Sequence, residues 1–230
     1  MLEGYFPILL KLENKPCFVA GGGLVAERRI ASLLEAKAKV KVVSPAFTDA
    51  ILQWADEGLI EAIVRLYEPE DQDGAYLVIA ATNSAEVNER IRARAAASGQ
   101  LVNMAERPER GDFIVPSVVR RGKLVIAVST LGASPIVAAS IRREIEASFG
   151  EEYEIYLDFL SEFRLKVQEL VKDTKVRQEC FRTLLQADLL GMIRSGRFEG
   201  WKRQVLEELH ANPAAFSAGQ IGGETCAESL

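Results

Sequence analysis

Residues 16–20, Pro-Cys-Phe-Val-Ala, form an apolar run that leads directly into three glycines, Gly21, Gly22 and Gly23, after which a helical pattern begins. Strand, glycine turn and helix start in succession commit this part of the chain to a strand–helix unit of an α/β fold. The same succession is the setting in which a dinucleotide pyrophosphate binds at a helix N-terminus. The spacing Gly21-x-Gly23-x-x-Ala26 fits the G-x-G-x-x-G/A pattern. In that pattern Gly21 makes the tight turn, Gly23 lets the backbone approach phosphates, and Ala26 lets the helix pack on the strand. A purely structural turn would carry the same glycines, so the motif alone points to a dinucleotide without deciding it.

The surrounding pattern extends the unit. A short extended segment at residues 6–12 precedes it, with a turn at Glu13, Asn14 and Lys15. Ala26, Ile30, Leu33 and Leu34 recur at helical spacing. Residues 40–43 alternate and are β-branched, predicting a second strand that ends at Ser44-Pro45. Thr48 is placed to cap a helix carrying Ile51, Leu52 and Ala55. Residues 60–66 predict a third strand. The continuous apolar run at 76–81 predicts a strand covered on both faces. A helix over 86–97, with Val87 and Ile91 inward, and a strand at 101–103 follow. Alternation of this kind builds a Rossmann-type parallel sheet.

After residue 112 the pattern changes. Residues 113–116 and 123–129 read as two strands joined through Arg120-Arg121-Gly122, with no helix between them. A hairpin of this kind has edges that need cover, for which a second subunit is one source. Ser134-Pro135 is a strong helix start, and Ile136, Val137, Ser140, Ile141 and Ile145 share one helix face up to Gly150. From Glu151 the spacing is helical, with Gly196 and Gly200 marking a break before a last helix with Trp201, Val205 and Leu209. The expected organisation is residues 1–112, a dinucleotide-binding Rossmann domain; 113–150, a strand and helix dimerisation region; 151–210, a small all-helical domain; and 211–230, a disordered tail rich in Ala, Gly and Ser.

Composition removes several functional classes. With 48% hydrophobic and 27% charged residues the chain reads as a soluble globular protein, and its net charge of −5 argues against nucleic acid. Cys17, Cys180 and Cys226 are far apart and odd in number, which argues against a disulfide framework and a cysteine metal site. His210 is the only histidine, which leaves no Ser-His-Asp triad elsewhere and no histidine metal site. No apolar run approaches the ~20 residues of a membrane span, and the N-terminus lacks a signal-peptide pattern, so a cytoplasmic setting is expected.

Several residues are candidates for a site. The second strand ends in Ser44, Pro45 and Ala46, with neither an acid for ribose hydroxyls nor an adjacent Arg for a 2′-phosphate; this favours NAD without settling it. Glu106 follows the fifth strand, at the sheet end where ligands gather, although a solvated loop acid would sit there equally well. Arg107, Arg110, Arg120, Arg121, Arg142 and Arg143 are either contacts for an anionic substrate or ordinary surface charge.

The motifs together resemble a known family. Phe6-Pro7-Ile8 comes first, then the segment 17–28, then Ala80-Ala81-Thr82 with Asn88, then Val102-Asn103. Residues 113–117 and Ala127-Val128-Ser129-Thr130-x-Gly132-x-Ser134-Pro135 complete the order. The chain resembles the precorrin-2 dehydrogenase and sirohydrochlorin ferrochelatase family, whose members include the N-terminal half of bifunctional siroheme synthase. The resemblance is close over residues 5–150 and loose in the helical part.

That resemblance implies a Rossmann domain, a central dimerisation region, a helical domain and a homodimer. It implies the oxidation of precorrin-2, a reduced tetrapyrrole with carboxylate arms, to sirohydrochlorin with NAD⁺, and in some members Fe²⁺ insertion. Gly21, Gly22, Gly23, Leu24 and Val25 would then hold the pyrophosphate. Ser44, Pro45 and Ala46 would flank the adenosine ribose, and Thr82 and Asn83 would line the nicotinamide side. Asn103, Ser129, Thr130 and Ser134 would meet the tetrapyrrole, and Glu106 would assist proton loss. Two departures stand out. Glu106 replaces the family's usual Asp, and Lys37-Ala38 replaces Gly-Ala after the first helix. A non-enzymatic NAD sensor, or a scaffold in a tetrapyrrole pathway, is the competing reading.

Overall fold

The computed structural model describes residues 4–213 and 216 and divides into two units after Val115. The first unit is built on β1 (Pro16–Ala20), α1 (Leu24–Glu35), β2 (Lys39–Ser44), α2 (Asp49–Asp56) and β3 (Ile60–Val64). β4 (Leu77–Ala80), α3 (Ala85–Ser98) and β5 (Leu101–Met104) complete it. The five strands are all parallel, in the order β3-β2-β1-β4-β5. The chain therefore builds outward from β1 to β3, returns, and continues on the other side of β1. The reversal puts the topological switch point between β1 and β4.

Alternation along the strands separates two cores. Cys17 and Val19 of β1, with Val40 and Val42 of β2 and Leu77 and Ile79 of β4, bury against Ala26, Ile30 and Leu33 of α1 and Ile51 of α2. Phe18, Ala20, Val43, Val78 and Ala80 face the other way, onto Ile91 and Ala95 of α3. Because both faces are covered, the central strands β1 and β4 are apolar throughout, as buried parallel strands require. Truncating the fully buried Ile30 to Ala would cost about 2–5 kcal/mol.

The second unit opens with an antiparallel pair, β6 (Ser117–Arg121) and β7 (Leu124–Val128), in the register Ser117↔Val128. α4 (Pro135–Ser148) follows, capped by Ser134, whose hydroxyl accepts from the Val137 amide at 3.3 Å. α5 (Glu152–Leu170), α6 (Thr174–Leu184), α7 (Leu189–Arg194) and α8 (Phe198–Ala211) form a helical bundle. Its core is aromatic: Phe159 meets Phe198 and Trp201 edge-on, and Phe163 meets Phe181. Phe216 is buried against Phe163, with ring centroids 5.4 Å apart. The rest of the expected disordered tail at 211–230 lies, apart from Ala211, Asn212 and Pro213, outside the described residues.

Three expectations need correction. Residues 113–116 form no strand; Asn103 Nδ2 claims the Phe113 carbonyl and Pro116 has no N–H to give to a ladder, so the strand begins at Ser117. Gly200 breaks nothing; it lies inside α8, and the break is at Gly196, with φ 72°. Thr48 stands at the α2 N-cap, but its hydroxyl makes no capping bond and is buried without a partner.

Candidate functional site

The glycine turn lies at the C-terminal end of β1, beside the switch point. Gly21 has φ 122°, and a Cβ there would collide with the Ala81 carbonyl at the end of β4. Glycine is required so that the two strand ends can close together. Gly22 is equally constrained, which the spacing pattern did not reveal: a Cβ would collide with the Ala46 carbonyl and reach 2.7 Å from Phe47. The Thr48 amide also donates to the Gly22 carbonyl at 3.0 Å. The loop after β2 is thus held against the glycine turn.

Gly23 differs from both. A Cβ there would meet nothing within 4 Å, and Gly23 is the N-cap of α1 with no side chain to cap it. The first amides of α1 are therefore open at a surface with room above it. Leu24 and Val25 are exposed beside it, while Ala26 is fully buried on the sheet. Unpaired N–H groups and the positive end of the helix dipole form an anion cradle. These features fit the pyrophosphate of a dinucleotide.

The far wall is the loop after β4, residues 81–84. Asn88, buried on the second turn of α3, accepts at Oδ1 from the Thr82 amide (3.1 Å) and hydroxyl (2.7 Å). Its Nδ2 donates to the Thr82 carbonyl at 2.9 Å. Thr82 is thereby pinned and Asn83 is left exposed at the loop tip. Ser44 is buried at the end of β2, with Pro45 and Ala46 exposed after it. Glycines, Ser44 to Ala46, and Thr82 with Asn83 all lie around the C-terminal ends of β1, β2 and β4.

Glu106 stands one strand further on. It follows β5 in the loop 105–111, exposed, and the Ala105 amide donates to Ala80 O at 3.0 Å. The loop is closed behind it: the Asp112 amide donates to Val102 O at 2.8 Å, and the Asp112 carboxylate accepts from the Val102 amide at 2.9 Å. Asn103 is buried on β5, its Nδ2 donating to Phe113 O at 2.9 Å and its Oδ1 without a partner. The sequence pattern named Asn103 but gave no sign that its amide ties down the return of the Glu106 loop.

Ser129, Thr130 and Ser134 lie in the second unit, in one tight loop. Thr130 Oγ1 accepts from the Ser134 amide at 3.2 Å and donates to Ser134 O at 3.0 Å, and Ser129 Oγ accepts from the Leu131 amide at 3.1 Å. Leu131 takes φ 50° and Gly132 φ 85°, which turns the loop sharply. Of the candidate arginines, Arg110 pairs with Glu89, Arg142 with Glu146 and Arg121 with Glu151. Arg143 donates to Ala139 O at 3.4 Å.

Other reactive groups are inert. Cys17 lies in the sheet core, where burial pushes its thiol up to about 11. Among the described residues no group of three or more His, Cys, Asp or Glu gathers to hold a metal, and no helix is long and apolar enough to cross a membrane.

Comparison with known proteins gives the geometry a context. Residues 8–117 match a family model described as NAD(P)-binding, and residues 121–148 match one described as sirohaem biosynthesis protein central. Siroheme synthase of Nitrosococcus oceani is 35% identical over 195 residues, covering 85% of this chain and 42% of the relative. Over most of its length the chain is similar to the N-terminal part of siroheme synthase. Siroheme synthase of Methylobacillus flagellatus is 37% identical, covering 94% of this chain and 46% of the relative. The chain thus spans under half the length of these relatives. The solved structure of SirC, precorrin-2 dehydrogenase, superposes with a TM-score of 0.72 at 28% identity, covering 87% of this chain and all of that one. The shared fold is a Rossmann-like sheet, a small antiparallel pair and a helical region. The match over residues 8–117 supports a nicotinamide dinucleotide, NAD or NADP, as cofactor.

Proposed function

We propose that this chain oxidises precorrin-2 to sirohydrochlorin, with NAD⁺ as hydride acceptor. One observation carries the reading. An anion cradle built from Gly21 to Gly23 stands at the switch point, and a carboxylate, Glu106, stands two strands over at the same end of the sheet. The similarity to siroheme synthase and the likeness to SirC, precorrin-2 dehydrogenase, support it. The reaction removes two electrons and two hydrogens from the reduced macrocycle, one as hydride and one as a proton. The nicotinamide, when bound, takes the hydride.

The chain's own residues do the rest. The open amides of α1 and the glycine backbone bind the pyrophosphate, and Ser44 to Ala46 flank the ribose. Asn88 holds the loop carrying Thr82 and Asn83 against the nicotinamide side. Glu106 accepts the proton. Asn103 fixes the Glu106 loop through its hydrogen bond to the Phe113 carbonyl. Glu in place of Asp moves the carboxylate by one methylene, and an offset of ~1 Å can cost ~100-fold in rate. The test is Glu106→Ala: NAD⁺ affinity is retained and precorrin-2 oxidation is lost. Full turnover by this variant removes Glu106 from the mechanism.

NAD rather than NADP is favoured by the end of β2. Arg65, whose amide donates to Ser44 O, has its guanidinium committed to Asp71 at 2.6 and 2.8 Å, which leaves it poorly placed for a 2′-phosphate. The measurement is kcat/KM for both cofactors, which should be higher for NAD⁺.

The chain acts as a homodimer. α4 turns Ile136 (80% exposed), Val137 and Ile141 outward, and β6 with β7 forms only a two-stranded sheet. Isolated pairs of strands are marginal, and an exposed apolar helix face seeks a partner. A second copy supplies both covers. Sedimentation should give twice the chain mass, and Ile136→Asp should shift it toward the monomer.

A further inference from the structure

The loop 105–111 and the start of α3 line a small cavity of about 30 Å³, open to solvent on one side, whose walls include Asn88, Glu89, Glu106, Arg107 and Arg110. A space of that order admits a group between a water and a carboxylate in size, and no ring. Its charges are unequally committed. Glu89 accepts from Arg92 Nε at 2.9 Å and from Arg110 Nη2 at 3.1 Å. Those hydrogen bonds and the charges of Arg110 and Arg107 hold the Glu89 carboxyl below its usual range. Arg107 itself makes no side-chain hydrogen bond among the described residues, although it lies close enough to act on Glu89.

A guanidinium fork with no acceptor, on the wall of a small polar cavity, matches an oxyanion presenting two coplanar oxygens. Glu89 and Glu106 line the same cavity, and two carboxylates repel a phosphate dianion more than a monoanion. We propose that this cavity takes one carboxylate arm of the tetrapyrrole, gripped by Arg107, with Arg110 fixed at the wall by Glu89. The anchored arm then presents the macrocycle to Glu106, which shares the cavity wall. This rests on the reading of the chain as a precorrin-2 dehydrogenase, and deepens it by naming the residue that sets substrate placement.

The test is equilibrium titration with sirohydrochlorin, the octacarboxylate product, followed by absorbance, beside titration with NAD⁺. Arg107 is exposed, so Arg107→Ala should fold, and its NAD⁺ affinity reports that directly. Arg107→Ala should bind sirohydrochlorin roughly ten- to hundredfold more weakly, the range of a lost charge-assisted hydrogen bond, with NAD⁺ affinity unchanged. Lys11→Ala removes the same charge from an exposed site near the N-terminus and controls for general attraction. Wild-type affinity for sirohydrochlorin in Arg107→Ala, or an equal loss in Lys11→Ala, overturns the subsite and leaves the function standing. A wild-type protein that binds NAD⁺ but not sirohydrochlorin overturns the functional reading, and the subsite falls with it.

Discussion

Asn88 and Thr82 are joined by three hydrogen bonds: the Thr82 amide and hydroxyl donate to Asn88 Oδ1, and Asn88 Nδ2 returns one to the Thr82 carbonyl. A single buried side chain on α3 therefore replaces the ladder partners that the chain loses when β4 ends. Asn88→Ala leaves the Thr82 amide and carbonyl to find water or go unpaired. We expect a loss of about 1–3 kcal/mol in urea denaturation. KM for NAD⁺ should rise more than kcat falls, because the loop it positions binds cofactor.

The three glycines should separate into two classes. Gly21→Ala and Gly22→Ala drive a Cβ into the Ala81 and Ala46 carbonyls, and should each destabilise the first unit by roughly 2 kcal/mol or more. Gly23→Ala meets open space. It should melt like the wild type and bind NAD⁺ about tenfold or more weakly, since the methyl occupies room meant for phosphate. Thermal melts and calorimetric titration of the three variants decide this.

Much of this was legible locally. The strand, glycine turn and helix of residues 16–35 follow from an apolar run, Gly21 and the stripe Ala26, Ile30 and Leu33, all within one short stretch. What was not legible depends on partners far along the chain. Gly22 is constrained by Ala46 and Phe47, which no spacing rule links to it. Glu89 meets Arg110 across 21 positions. The segment after Glu106 looked like a strand because Phe113, Ile114 and Val115 are apolar and β-branched or aromatic. Asn103 and Asp112 instead tie it back to β5, and propensity carries no trace of that hydrogen bonding. The family resemblance supplied Glu106 a role; the bracing of its loop came only from the fold.

Lys37 follows the C-terminus of α1 with φ 57°, its amide donating to Leu34 O at 2.9 Å and that of Ala38 to Leu33 O at 3.0 Å. This is a left-handed helix stop, occupied by a residue with a Cβ. Lys37→Gly relieves strain of about 1–2 kcal/mol and gives part of it back as chain entropy. A net gain of about 0.5–1 kcal/mol in denaturant, with activity unchanged, is expected.

Asp71 should govern part of the acid limb. Burial works against its charge, but hydrogen bonds from Arg65 and the Glu68 amide, with the charges of Arg65 and Lys41, outweigh it and hold the carboxyl below its usual range. A depressed folded value means stability that is present above the unfolded value near ~4 and is lost as pH falls through the folded one. Asp71→Asn should lose about 2 kcal/mol at pH 7, discounted for the partial exposure of Arg65, and should show a shallower decline below pH ~4. Urea titrations across that range read both effects.

The most direct measurement is anaerobic turnover of precorrin-2 with NAD⁺, following sirohydrochlorin absorbance and NADH together. The account predicts one NADH for each sirohydrochlorin, faster with NAD⁺ than with NADP⁺, and no enzymatic rate in Glu106→Ala. A wild-type rate no greater than that without protein would contradict it and leave the chain as a dinucleotide-binding protein of another kind.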